Sequence, residues 1–197
     1  MKCLFPLLPA VLGLVLSCCA MPRYFDLQAD APQERARMTI DKTLAIDRVE
    51  INETYRDYRI ILRDSPFRVK YANVAQWSKA PDDLIADAVL SFWRGRVLFK
   101  KITAWDSPVE PDWIMRIRIE ALEKYRVGRR WQARRAMAIE IAESEEDLIL
   151  LAHAFDRRLE LGGEKDRLLP EAISRILREE LLKVEATLLQ ELEKPRA

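Results

Sequence analysis

Between Tyr58 and Trp93 the hydrophobic period changes once, from two to about 3.6, and that change fixes what the chain can become. Tyr58, Ile60 and Leu62 alternate with Arg59 and Arg63; beyond Asp64, Ser65 and Pro66, the residues Phe67, Val69 and Tyr71 alternate with Arg68 and Lys70. Successive strand side chains point to opposite faces, so the two runs predict half-buried strands joined as an antiparallel hairpin. Asp64 and Ser65 suit the turn through hydrogen bonds to local backbone, and Pro66, which cannot donate to a ladder, marks the start of the second run. The outer face is cationic, as a sheet face turned to water commonly is. Pro81 then suits the first position of a helix, with Asp82 and Asp83 in the first turn where the helix dipole favours negative charge. Leu84, Ala88 and Phe92, flanked by Ile85 and Val89, form one apolar face that must lie on a sheet, with Trp77 and Trp93 as core residues.

The remaining periodicity extends that sheet. Thr43 to Ile51 reads as a strand whose apolar phase shifts near Asp47, the expectation being a bulge there. Val97 and Phe99 follow Gly95 as a further strand. Trp113, Met115, Ile117, Ile119 and Ala121 form another, answered across Gly128 by Trp131 to Ala142, a second hairpin. Leu148 to Leu161 is the next strand, and Leu168 to Glu193 a long helix with Ile173, Leu177, Leu181, Val184, Leu188 and Leu192 along one stripe. Leu182 and Leu189 widen that stripe, so either the same core or a seam with another protomer or a partner covers it. The expected fold class is α+β: a mostly antiparallel sheet of about six to seven strands with two helices packed on one face.

The amino terminus sets the compartment. Lys2 precedes an apolar run from Leu4 to Leu16, of signal-peptide length and shorter than the roughly 20 residues that span a bilayer. Val15, Leu16, Ser17 and Cys18 resemble a bacterial lipobox, making Cys18 the expected lipid-attachment site; Cys19 is the weaker candidate, and an ordinary signal peptide cut after Ala20 is the alternative. The expected organisation is a signal peptide over 1–17, a lipidated terminus and tether over 18–41, and a single domain over 42–194. Tyr24 to Leu27 can form an edge strand, whereas Gln28 to Arg37 lacks apolar periodicity. With Lys2 removed, 32 basic residues balance 32 acidic ones, unlike a strongly basic nucleic-acid binder. Cys19 alone remains unmodified, which leaves no intramolecular disulfide to form.

The run Arg59 to Tyr71, followed by Trp77, Pro81 and the apolar helix, resembles the PqiC/YmbA family, auxiliary lipoproteins of ABC-type transport systems. The lipobox before Tyr24, Gly95 and Phe99 after the first helix, the alternating strands and the long terminal helix follow in the same order. The resemblance implies a non-catalytic protein anchored to the periplasmic face of the outer membrane of a Gram-negative bacterium. Its implied partner is an MCE-domain periplasmic conduit that carries lipid between the two membranes. Neither Cys19 nor Ala20 is an aspartate, which agrees with the outer membrane. The competing reading is a structural or regulatory lipoprotein of an envelope-assembly or peptidoglycan-synthesis complex.

Candidate sites are few. Arg126, Arg129, Arg130, Arg134 and Arg135 gather around the tip of the second hairpin; Arg129, Arg130 and Arg134 are the candidates for contact with acidic headgroups or an acidic partner surface. His153 is the single histidine, expected to be packed or hydrogen-bonded within its strand rather than a metal ligand. The five glycines form no phosphate loop and no serine sits in a nucleophile elbow, so neither a catalytic constellation nor a cofactor is expected. Asp82 with Asp83, and Glu145 with Glu146, read as helix-start and turn charges.

Overall fold

A computed structural model describes residues 21–32, 36 and 38–194. One long strand, β7 (Trp113–Val127), is the spine of a nine-stranded sheet. Along one edge of β7 runs β8 (Arg130–Glu143), antiparallel from Val127↔Arg130 to Trp113↔Glu143, and β9 (Ile149–Glu160) pairs antiparallel to β8. The other edge is shared in succession by three strands, all parallel to β7. These are β2 (Ile40–Ile46) beside Trp113 to Met115, β3 (Glu50–Ile51) beside Arg118 and Ile119, and β4 (Arg59–Ser65) beside Glu123 to Tyr125. Outside them, β6 (Phe99–Ala104) lies parallel to β2, β5 (Arg68–Trp77) antiparallel to β4, and β1 (Arg23–Phe25) parallel to β5.

The class is α+β, but the sheet is mixed rather than mostly antiparallel. Periodicity reports which face a residue takes and is silent on strand direction. The parallel β4–β7 pair needs a crossover, which here includes the helix α1 (Pro81–Arg96). The shift of phase at Asp47 is a strand break rather than a bulge: β2 ends at Ile46, Asp47 N–H donates to the Met115 carbonyl, and the chain rejoins the same edge of β7 as β3.

A bulge does occur in β7. Ile119 pairs with Met137 and Ala121 with Ala136, so Glu120 is the extra residue and the facing of every later side chain reverses. Met115, Ile117 and Ile119 point to the helices; Ala121 and Glu123 point to the opposite face, which Leu122 and Lys124 leave. Ala121 therefore does not continue the stripe that its spacing predicts.

Both helices cover one face. Trp93 of α1 stacks edge-on with Phe92 and Phe99, at 5.0 and 5.7 Å between ring centroids, and Phe99 with Trp113 at 6.1 Å. The second helix, α2 (Leu168–Glu193), buries Ile173, Leu177, Leu181, Val184 and Leu188, and the widened stripe of Leu182, Leu189 and Leu192 packs partly buried against the same core. Part of the expected tether also joins the fold: β1 is an edge strand, Leu27 and Ala29 are buried, and Gln28 N–H donates to Ser174 Oγ of α2.

Candidate functional site

The β4–β5 and β7–β8 turns sit side by side. Arg63 is level with Tyr125, and three residues further along each strand lie Pro66 and Gly128, the latter at φ 60° as the reversal requires. Phe67 occupies the first turn and is 98% exposed, contrary to the inward position its alternation predicts. Val127, Arg129 and Arg130 flank the second turn, all exposed, with Arg130 Nη1 3.2 Å from Glu160 Oε2.

Arg134 lies four positions into β8 and is engaged. Its Nη1 donates to Glu123 Oε1 at 2.9 Å, and its Nε and Nη2 grip both Asp156 oxygens at 3.0 and 2.9 Å. The bond to Asp156, then that to Glu123, raise the pKa of its guanidinium against the opposing effect of burial. Glu123, brought to this face by the bulge and wholly buried, also accepts from Tyr55 OH at 2.9 Å and Arg63 Nε at 2.7 Å. Burial, reinforced by the Glu123 charge, raises the Tyr55 hydroxyl pKa. Arg63 Nη1 reaches the Pro66 carbonyl at 3.3 Å, so this carboxylate is tied to the Phe67 turn. Arg129 and Arg130 therefore stand at the tip, while Arg134 serves an internal network. The predicted cationic face of the first hairpin is engaged in ion pairs: Arg59 pairs with Asp57, while Arg68 and Lys70 share the single Asp64.

Arg135 takes the opposite facing, as strand alternation demands, and is wholly buried. Its Nη1 lies 3.5 Å from the Ile173 carbonyl and its Nη2 3.4 Å from Met137 sulfur, and Nε has no partner. Burial lowers its pKa to about 9, which leaves it charged at neutral pH. Nearby, Glu180 of α2 accepts from His153 Nε2 at 2.8 Å, Arg157 Nη1 at 2.8 Å and Lys183 Nζ at 2.7 Å. His153 is thus a hydrogen-bonded strand residue, its partner lying across in α2.

Between these networks the polar face carries a groove floored by Ala138, Ala152 and Ala154. Its walls are paired charges: Arg116 with Glu140 and Asp147, Arg118 with Glu50. Among the described residues, no three His, Cys, Asp or Glu side chains converge as metal ligands, and no helix is long and apolar enough to cross a membrane. Cys18 lies outside the described residues. Spacing did not single out Phe67, Tyr55 or Glu180 as site residues. Only Phe67 carried a local signal, its place directly after Pro66 in the turn.

Residues 25–181 match the family described as ABC-type transport auxiliary lipoprotein component. No curated protein matches the chain. The crystal structure of a Xanthomonas campestris protein of family DUF330 superposes with a TM-score of 0.74 at 14% identity, covering 85% of this chain and 95% of that one. A second crystal structure, of an uncharacterised protein, gives 0.67 at 10% identity over 85% and 98%. At such identities the likeness concerns the fold alone, and the family match, which runs from β1 into α2, carries the assignment. The chain belongs to the family of ABC-type transport auxiliary lipoprotein components.

Proposed function

We propose that this protein is a non-catalytic accessory subunit of an ABC/MCE-type system that moves phospholipid between the inner and outer membranes. It is held on the periplasmic face of the outer membrane by acylation of Cys18, and its folded domain docks on an MCE-domain conduit. The observation that carries this reading is the family match over residues 25–181, joined to the lipobox-like Leu16, Ser17 and Cys18 that precede it. An anchor of two or three acyl chains, at about 0.8 kcal/mol per buried methylene, is effectively permanent. A five-residue lead from Cys18 to Arg23 then keeps the domain close to its membrane.

The test is made in intact Gram-negative cells. Labelled palmitate is expected in the wild-type chain and absent from Cys18→Ala, and crosslinking is expected to recover an MCE-domain protein. Recovery of cell-wall synthases without an MCE partner would favour the envelope-assembly reading instead, and an unlabelled wild type would remove the anchor.

A further inference from the structure

We infer that the paired hairpin tips form a membrane-contacting foot that seats on a bilayer containing anionic phospholipid, with Phe67 and Val127 entering the headgroup layer. The inference deepens the reading above and rests on the acylation of Cys18. Three independent observations support it.

The first is the apolar content. Phe67, in the first turn, is 98% exposed and Val127, the last residue of β7 beside the second turn, 47% exposed, and the parallel β4–β7 register sets the two turns level, about 5 Å apart at the strand spacing. The backbone of the turn that carries the ring is held by Pro66 and by Arg63 on the Pro66 carbonyl, so the ring meets a lipid surface without further ordering of the turn.

The second is charge. On the first hairpin Arg68 and Lys70 share Asp64; on the second, Arg126, Arg129 and Arg130 stand against Glu160. Five cations against two carboxylates leave these two hairpin tips with three excess positive charges in a mature chain whose 32 basic and 32 acidic residues balance as a whole. A basic rim around apolar side chains is the complement of an anionic headgroup layer.

The third is the direction of the anchor. Because β1 is parallel to β5, and β5 starts at the tip, the chain preceding Arg23 departs toward the tip. Arg23 is level with Ala75, eight residues or about 26 Å from Phe67. Cys18, five residues earlier, reaches at most about 17 Å in that direction. A fully extended lead of that length leaves about 10 Å to the level of Phe67, comparable to the depth of 5–10 Å to which interfacial elements enter a bilayer, so it is long enough for anchor and ring to share one leaflet.

The experiment uses the mature acylated protein, carrying Cys19→Ser, reconstituted in phosphatidylethanolamine vesicles with or without phosphatidylglycerol. A fluorescent NBD group is placed on a cysteine at Phe67, Val127 or Leu148, and quenching by doxyl-labelled lipid is measured. Leu148 is 53% exposed but lies beyond the other end of β8, so it is the control. The expected result is quenching at 67 and 127 but not at 148, falling roughly twofold or more without phosphatidylglycerol or with Arg129→Glu/Arg130→Glu. Protein that floats with the vesicles yet shows no more quenching at 67 and 127 than at 148, or quenching indifferent to phosphatidylglycerol and to the charge reversal, overturns the foot and leaves the anchor standing. Protein that does not float overturns the anchor and the foot with it.

Discussion

Arg96, in the last turn of α1, donates through Nε and Nη2 to the two oxygens of Glu185 in α2, at 2.7 and 2.5 Å, with both side chains buried. The pair joins two helices that share one face of the sheet but are separated by four strands in the chain. Removing the guanidinium leaves the buried Glu185 carboxylate without these two bonds, so Arg96→Met is expected to lower unfolding free energy by about 3–5 kcal/mol. Replacing both by Arg96→Met/Glu185→Leu is expected to cost much less. Urea titration of the three proteins decides it; equal losses in single and double variants would show that the helices, not the charges, bear the cost.

Glu180 gives the fold an acid limit. Burial alone would raise its pKa from 4.5, but the hydrogen bonds from Lys183, Arg157 and His153 outweigh burial and hold it down to about 2. A depressed carboxyl stabilises the native state fully above its unfolded value and loses that contribution as the pH falls through the folded one. Stability is therefore expected to drop between about pH 4.5 and 2, by at most about 3 kcal/mol from this group. Glu180→Gln should flatten that part of the profile, and parallel wild-type and variant curves would refute the assignment.

What the sequence made legible was what local spacing encodes. The stripe from Ile173 to Leu192 places α2 where the structure has it, and Pro81 marks the first residue of α1. Both hairpins also appear, because alternation and turn residues are short-range signals. Strand direction was not legible, since Leu44, Ile51 and Ile61 alternate alike whether β7 runs beside them parallel or antiparallel. Nor was the role of Glu123: one bulge at Glu120 decides which face it joins, and its partners lie up to 68 residues away. The arginines around the second turn read as one cluster, yet pleating sends Arg134 to Glu123 and Asp156 and buries Arg135 on the other side.

Tyr55 is the neutral donor to Glu123, beside two guanidinium groups. Tyr55→Phe removes one hydrogen bond to a buried carboxylate and is expected to cost about 1.5–3 kcal/mol. Glu123→Ala leaves Arg63 and Arg134 facing each other without their shared anion and should cost more. Thermal unfolding of both variants tests the order; a larger loss in Tyr55→Phe would contradict it.

Arg135 has the opposite character, a buried cation whose hydrogen-bond contacts are a carbonyl and a thioether. Methionine is close to it in length, needs no hydrogen bonds and fits beside Met137. Arg135→Met is expected to raise unfolding free energy by about 1–3 kcal/mol, because the desolvation cost of the charge disappears. A destabilised variant would mean that the Ile173 carbonyl contact outweighs that cost.

Gly95 shows how the segment before β2 is held. A Cβ at this position would stand 2.8 Å from Ala31 Cβ, closer than any side chain tolerates, so the chain around Ala31 passes α1 only because residue 95 has none. Gly95→Ala gains about 1 kcal/mol of helix propensity in isolation. The clash costs about 1–3 kcal/mol, so the variant is expected to be less stable despite its better helix former. Ala31→Gly relieves the contact from the other side. The double variant Ala31→Gly/Gly95→Ala should therefore recover stability relative to Gly95→Ala, although Ala31→Gly alone offers no packing gain. Urea midpoints at constant slope measure this coupling, and additive single effects would show that the segment moves aside freely.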